Sequence, residues 1–507
     1  MEPLEFNTDL AQNMLAVTPE ILLILLGAVV LFIDLYSPES RRRQAGYWAG
    51  IGLLVVAGIT TVLTVTIPGE TLNDQLVLGG MLRFDEFTQI FRVMVYIAAG
   101  LTCLLAIGDE RLRYKGEFYL VTIVASIGAG LMSGAANLVM VFLALETLSI
   151  SLYALAGFVR DDARSAESGI KYFLLGAFSS AFTLYGFSLL YGFTGQLNIY
   201  AIGRVLAEGA LTDAPVIVAL MMITVGFGFK ISAVPFHFWT PDVYEGSPTP
   251  MTAYVSVASK AASFALLLRL FLAVFPPDEL IPNAAVDYSA LWVPTLAVLA
   301  VISMTLGNLL ALVQTNIKRL LAYSSIAQAG YTLIGVAAIA TTDGGDGAAA
   351  VSFYMFMYVL TNILAFGCVL VFANATQSES IADMAGLGRR NFGLALMMAI
   401  ALLSLAGIPP AAGFVGKFLL FRAAVDAGLV WLAIIGVLNS IIALYYYLIV
   451  IKVMFFDPSP DEEQPIPMSL TYARTLGATA LGVVALGTVL ATPIINWATD
   501  AGLQLFV

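Results

Sequence analysis

Four ionisable residues stand deep inside long apolar runs: Glu146 in LALETLSISLYALAGF, Lys230 in GFGFKISAVPFHFW, Lys260 among Ser256, Ser259 and Ser263, and Lys417 in LAGIPPAAGFVGKF. A carboxylate or ammonium at mid-bilayer costs about 2.5–3.5 kcal/mol on insertion scales, so it persists only with a partner, a water-filled cavity or a route to neutrality. Burial favours the uncharged form of lysines and glutamates alike, which lets such groups take up and release protons near neutral pH. At an effective dielectric of about 20, charges roughly 8 Å apart interact by about 2 kcal/mol. One group's charge can therefore load or unload the next, and the chemistry on offer is proton transfer along a line.

Other residues extend that line. Lys230 precedes Pro235 by five residues and His237 by seven, which would put lysine and histidine on one face of a helix that ran through the proline. His237, the one histidine, fits either proton handling or a satisfied core position. Lys171, in GIKYFLLGAFSS, stands near a helix start and fits either a place in the line or snorkelling to the surface. Ser324, Ser325 and Gln328, then Tyr354, Tyr358 and Asn362, carry polarity through the second half, either as support for water or as ordinary interhelical hydrogen bonds.

The elements that position these residues must be membrane helices. Of 507 residues 60% are hydrophobic and 11% charged, against about a quarter charged in soluble domains, and the mean hydropathy is +0.91. Apolar runs fall near 16–36, 45–67, 87–108, 117–134, 137–159, 166–194, 215–239, 249–275, 290–314, 319–341, 349–374, 391–425, 428–456 and 473–498. Each is near the length of about 20 residues that a bilayer requires, so the expected fold is an all-α integral membrane protein of fourteen transmembrane helices. The N-terminus lacks a basic region and a cleavage site, so the first helix is expected to stay in the protein. Cys103 and Cys368 lie alone in apolar segments, so with one histidine no haem, iron–sulfur or zinc ligand set assembles. The net charge of −11 resides mostly in loop acids and offers nothing to nucleic acid.

Loops after odd-numbered runs carry Arg41, Arg42, Arg43, Arg111, Arg113, Lys115, Arg160, Arg164, Lys318, Arg319, Arg389, Arg390, Lys452 and Arg474. The opposite loops hold only Arg83 and Arg204 among Glu70, Asp74, Glu208, Asp213, Asp278, Glu279, Asp343 and Asp346. This asymmetry predicts both termini outside. The remaining basic residues, Arg92, Lys171, Lys230, Lys260, Arg269, Lys417 and Arg422, fall within the runs.

Two runs are rich in helix breakers, one at Pro235 and one at Pro409, Pro410, Gly413 and Gly416, and both breaks adjoin a lysine. If spans 4–8 form one five-helix unit and spans 9–13 another, each broken helix is the fourth of five, and the odd count inverts the second unit. The expected division is a three-helix segment over 1–116, two inverted five-helix repeats over 117–276 and 277–456, and a loop with the last helix over 457–507.

The stretch GFGFKISAVPFHFWTPDVYEGSPTP, supported by KRLLAYSSIAQAGY and AGIPPAAGFVGKF, resembles the antiporter-like membrane subunits of respiratory complex I, the proton-translocating NADH:quinone oxidoreductase, along nearly the whole chain. The resemblance implies fourteen helices with inverted repeats and proton translocation without a redox centre in this chain. By that resemblance Glu146 matches the glutamate of the fifth helix, Lys230 its partner on the broken seventh and Lys171 the modulating lysine of the sixth. His237 matches a histidine between the lysines, Lys260 the central lysine of the eighth helix, and Lys417 the terminal residue on the broken twelfth. Lysine at 417, and a chain that stops soon after its last span without a long lateral helix, resemble the N branch of the family. The resemblance further implies NADH, FMN, iron–sulfur clusters and quinone held by other subunits, K-type and M-type subunits as neighbours, and the bacterial cytoplasmic (inner) membrane as location. Two alternatives stand beside it: a subunit of a multi-subunit Na+/H+ antiporter, which shares fold and charged line, and a structural subunit whose charges are statically paired.

Overall fold

The computed structural model describes residues 7–38, 42–66, 75–209, 213–277, 287–341, 345–459 and 464–505, and among these the chain is helical apart from one small hairpin and its connections. Helices α1 (Leu10–Ala16), α2 (Thr18–Tyr36) and α3 (Arg43–Thr66) lead into the hairpin β1 (Gln75–Val77) and β2 (Leu82–Phe84) and then α4 (Glu86–Ala106). There follow α5 (Gly116–Gly134), α6 (Leu138–Ala156), α7 (Ala163–Thr194), α8 (Ile199–Ala207), α9 (Asp213–Lys230), α10 (Trp239–Gly246) and α11 (Thr249–Val274). The second half holds α12 (Ser289–Ala311), α13 (Ile317–Ala338), α14 (Asp346–Thr376), α15 (Leu387–Arg390), α16 (Phe392–Ala406), α17 (Ala412–Asp426), α18 (Val430–Phe456), α19 (Leu470–Gly487) and α20 (Ala491–Leu503).

Among the described residues twelve helices, α2–α7, α11–α14, α18 and α19, are long and apolar enough to cross a bilayer. A helix that is apolar all round must be enclosed by protein or lipid, and both cases occur. Helices α4, α11, α13 and α14 are enclosed by neighbours, whereas α2, α3, α12 and α18 turn Phe32, Trp48, Val298 and Tyr445 outward, where hydrocarbon would lie. The run expected at 473–498 is not one helix: it bends at residues 488–490 into α19 and α20.

Loops separate onto two faces. On one, the hairpin gathers its surroundings: Asn7 donates to Leu76, Ala136 to Met81 and Ile199 to Ala136 through backbone bonds of 2.9–3.0 Å, and Arg83 reaches the Gln504 carbonyl at 3.0 Å. Both ends of the described chain therefore meet on the hairpin face. On the other, Arg43, Arg111, Arg164, Asn316, Glu379 and Tyr472 line a polar basin of about 780 Å3. Arg41, Glu70, Asp74, Asp278, Glu279 and Asp343 of the charge pattern lie outside the described residues.

The two breaker-rich runs open in the same way. In the first, Ser232 takes a left-handed φ of +63° while Ser232 N donates to Phe229 O at 3.1 Å and Ala233 N to Gly228 O at 2.8 Å. In the second, Gly407 has φ +88°, and Gly407 N and Ile408 N donate at 3.0 Å to Ser404 O and Leu403 O. Each pair of bonds is a Schellman termination, which satisfies carbonyls that a helix end leaves orphaned. The chain then turns at Pro235 or at Pro409 and Pro410, whose rings cannot continue a helix, before α10 or α17 begins. The second re-entry needs glycine: a Cβ on Gly413 would lie 1.7 Å from the Ser404 carbonyl oxygen, while Gly413 N–H is received by Ser404 Oγ at 3.2 Å. Gly413→Ala is expected to cost about 1–3 kcal/mol or more by overpacking, read as a lower Tm of the purified protein; an unchanged Tm would contradict this geometry.

Candidate functional site

The breaks determine where the lysines stand. Lys230, expected mid-span and five residues before the break at Pro235, is the last residue of α9 at the Schellman turn. Its Nζ donates to Ser149 Oγ at 2.5 Å and to the Tyr153 hydroxyl at 3.4 Å, both on α6. Since residues 231–238 are not helical, Lys230 and His237 do not share a helix face; His237 is buried, with Nδ1 unpartnered among the described residues. Pro235 is exposed at the bend.

Glu146 precedes Ser149 by three residues and Tyr153 by seven, so all three lie along one side of α6. Its Oε1 accepts from Ser180 Oγ on α7 at 2.5 Å, and its charge lies within electrostatic reach of Lys230. A direct Glu146–Lys230 ion pair, the expected arrangement, is not formed: the lysine meets the two hydroxyls instead. Glu146 is half-buried, on a helix that turns Leu143 and Ile150 outward.

Lys260, in the enclosed helix α11, donates to the Ser325 carbonyl at 2.7 Å and to Ser325 Oγ at 2.5 Å. From there the polar positions of the second half join up. Tyr358 donates to Ser325 Oγ at 2.8 Å, and Asn362 donates to Tyr358 at 3.1 Å and to Ser256 at 2.7 Å. One turn along α13, Gln328 accepts from Tyr354 and donates to the Leu405 carbonyl at 3.1 Å. The next carbonyl, Ala406, accepts from Lys417 at 3.1 Å, and Lys417 Nζ sits 4.5 Å from the Tyr331 ring centroid, a cation–π distance. Lys417 also borders a cleft of about 320 Å3 between α17 and α18, lined by Phe414, Phe418, Val437, Ser440 and Ile441.

Between Lys230 and Lys260 the contacts are aromatic. Lys230 lies 5.6 Å from the Tyr153 ring, Tyr153 meets Tyr172 edge-on at 4.8 Å, and Tyr172 stacks on Trp239 at 4.4 Å and 14°. Trp239 approaches Tyr244 at 6.2 Å, whose hydroxyl is 3.2 Å from Ser325 Oγ. Trp239 Nε1–H donates to the Phe229 carbonyl at 3.0 Å, one of the carbonyls released where α9 ends. Ser232 in the break, Thr240 next to Trp239 in sequence, and Ser263 one turn along α11 from Lys260 keep buried hydroxyls unpartnered.

Lys171 takes the surface position: its Nζ lies 2.7 Å from both Glu167 and Asp242. Asp242 also receives Arg319 at 2.9 Å, and Arg319 reaches Glu245 at 2.8 Å. Burial works against the Asp242 carboxylate, but the bonds from Lys171 and Arg319 outweigh it and hold its pKa below the usual carboxylate range. Sequence reasoning passed over Asp242, Tyr153, Tyr172 and Trp239. A three-and-seven spacing from Glu146 could have signalled Tyr153; nothing in the order of residues signalled a contact between α7, α10 and α13.

A contrast separates the line from the other buried charges. Lys230, Lys260 and Lys417 are each at most 5% exposed, and the described partners of all three are uncharged hydroxyls, carbonyls or rings. The buried arginines are paired with carboxylates: Arg92 with Glu20 at 2.9 Å and Arg269 with Asp85 at 2.8 Å. Arginine keeps its proton in proteins, whereas a lysine can lose it.

Residues 135–443 match the NADH:quinone oxidoreductase/Mrp antiporter transmembrane family. The NADH-quinone oxidoreductase subunit N of Trichlorobacter lovleyi is 42% identical over 495 residues, covering 96% of this chain and 97% of that protein. A chain of respiratory complex I from Thermus thermophilus, solved with bound aureothin, superposes with a TM-score of 0.75 at 31% identity, covering 94% of this chain and 98% of the other. A chain of the Mrp complex from a Dietzia species gives a TM-score of 0.81 at 20% identity over 98% of both chains, a likeness of fold.

Proposed function

The chain belongs to the NADH:quinone oxidoreductase/Mrp antiporter transmembrane family, among the subunit N proteins, and from that premise we propose that its lysine line carries protons across the membrane. It is a membrane-arm, proton-translocating subunit of NADH:quinone oxidoreductase. The observation that carries the reading is the set of three buried lysines held by uncharged partners only. A structural subunit with static charges would pair them as Arg92 and Arg269 are paired, since an uncompensated charge in a dry interior is costly.

On this reading the twelve spans and the two interrupted runs make fourteen crossings, and 117–276 and 277–456 are inverted repeats, each with its break in the fourth helix. The repeated Schellman termination beside a lysine supports that symmetry. The arginine-bearing face is cytoplasmic, so both termini are periplasmic in a bacterial inner membrane. Protons enter toward Lys230, pass His237 and Lys260, and leave through Lys417. Glu146, near the surface of the bundle, receives the charge signal from a neighbouring K-type or M-type subunit, and Lys171 acts on the line from its edge. NADH, FMN, iron–sulfur clusters and quinone belong to other subunits.

Deleting the gene tests the class of function. Membranes from the deletion strain are expected to lose inhibitor-sensitive NADH:quinone oxidoreductase activity and NADH-driven acidification of inverted vesicles together. Retained activity with sodium sensitivity as the only defect would assign the chain to an Mrp-type antiporter instead.

A further inference from the structure

Helices α7 and α10 touch through two rungs. The inner rung is the stack of Tyr172 on Trp239 at 4.4 Å, part of the aromatic partition between Lys230 and Lys260. The outer rung is the ion pair of Lys171 with Asp242 at 2.7 Å. Lys171 adjoins Tyr172 in sequence, and Asp242 follows Trp239 by one helical turn, so any change of the outer rung bears on the inner one. The other oxygen of Asp242 takes Arg319 at the start of α13, the helix that presents Ser325 to Lys260. One carboxylate on an eight-residue helix thus ties together the elements on both sides of the partition. The same end of α10 is also held by Ser168, which donates to the Asp242 carbonyl at 3.2 Å, by Lys318, which donates to the Glu245 and Ser247 carbonyls at 2.8 and 2.9 Å, and by Arg319 on Glu245 at 2.8 Å, but among these the Asp242 side chain is the group that meets both α7 and α13.

We propose that Asp242 is a positioning residue for proton transfer between Lys230 and Lys260: by joining Lys171 to Arg319 it holds Trp239 against Tyr172 and keeps the partition closed. The partition matters because buried hydroxyls stand unpartnered on the elements that carry both lysines, Ser232 and Thr240 at the break that follows Lys230 and Ser263 one turn from Lys260, and can bind water. A closed stack keeps wetted regions on its two sides from joining into a leak, and a displaced stack lets them meet. This inference rests on the proton-path reading above.

The test uses the assembled complex in inverted membrane vesicles, with assembly followed on native gels and both NADH oxidation and proton uptake measured. Asp242→Asn is expected to leave NADH oxidation in place and to lower the ratio of protons moved to NADH oxidised roughly two- to fivefold, the order of loss expected when its two part-exposed ion pairs weaken. Asp242→Glu restores the ratio. In a Trp239→Leu background, itself lowered, Asp242→Asn adds nothing, because both act on one contact. A normal ratio in Asp242→Asn, or a loss that adds in full to that of Trp239→Leu, overturns the proposal. Where Asp242→Asn fails to assemble, Lys171→Met, which removes only the outer rung to α7, carries the same two outcomes. Undiminished pumping by Lys230→Ala would instead overturn the proton-path reading beneath it, so the two failures are distinguishable.

Discussion

Replacing Lys230 by alanine leaves the complex assembled and stops its proton translocation. The structural loss is small because Ser149 and Tyr153 are polar without being charged; removing the ammonium breaks no direct ion pair, Glu146 keeps its bond from Ser180, and Ser149 Oγ keeps its own bond to the Leu145 carbonyl at 2.5 Å. On the proposed path the functional loss is large because the group assigned to exchange the proton is gone, and a positioned acid–base group contributes about 10²–10⁴-fold to a proton-transfer step. NADH-driven acidification of vesicles from the variant should fall to background while native gels show normal assembly. Full pumping in assembled Lys230→Ala would contradict its role.

Asp85→Ala has the opposite outcome: the chain does not accumulate in assembled form. Asp85 caps α4 by accepting from Thr88 N at 2.7 Å, and it receives Arg269 Nη1 at 2.8 Å, Arg269 Nη2 at 2.9 Å and Arg83 Nε at 3.4 Å. Its removal leaves the fully buried Arg269 with no carboxylate, and breaking one side of a buried pair costs about 3–5 kcal/mol, a large share of a typical total of about 5–15 kcal/mol. Burial pushes the Asp85 carboxyl up, but Arg269 and Arg83 outweigh it and hold its pKa below the ordinary value. For a depressed carboxylate the stabilisation is complete above the unfolded value of about 3.9 and is lost only as pH falls through the lower native value. The variant therefore forfeits all of it at neutral pH. Replacing Asp85 and Arg269 together by leucines should recover part of the Tm that the single change loses, and a wild-type Tm for Asp85→Ala alone would refute the account.

Hydropathy made the helices legible because each apolar run had to be a helix to satisfy its own backbone in hydrocarbon; Leu138–Ala156 and Val430–Phe456 lie within a few residues of the expected limits. Where a run was cut, the pattern failed in detail. The composition of GFGFKISAVPFHFW announces a break, but not that α9 closes on Lys230 itself, because that depends on Ser232 turning left-handed and on the Trp239 indole reaching back to Phe229. Buried lysines stood out because they are costly in any membrane segment. Their partners did not, since Ser149, Ser325 and Tyr331 look like any other small or aromatic residue until tertiary packing selects them. Lys171 shows the limit most clearly: snorkelling and a place in the line were equally compatible with its position in α7, and its contact with Asp242, more than seventy residues away, appears only in the folded chain.

The two Schellman turns also answer how a membrane interior can host a charge that comes and goes. Lys230 closes the C-terminal end of α9, and Lys417 binds the last carbonyl of α16. The C-terminus of a helix carries the equivalent of about half a negative charge in its aligned peptide dipoles. Opposite a side chain that alternated between zero and one unit of positive charge, as the proposed path requires, that half unit would leave a mismatch of similar size in either condition. A full carboxylate would favour the loaded form, and bare hydrocarbon the empty one. On the proposed proton path, helices that end beside Lys230 and Lys417 would lessen the difference between the two occupancies of each lysine.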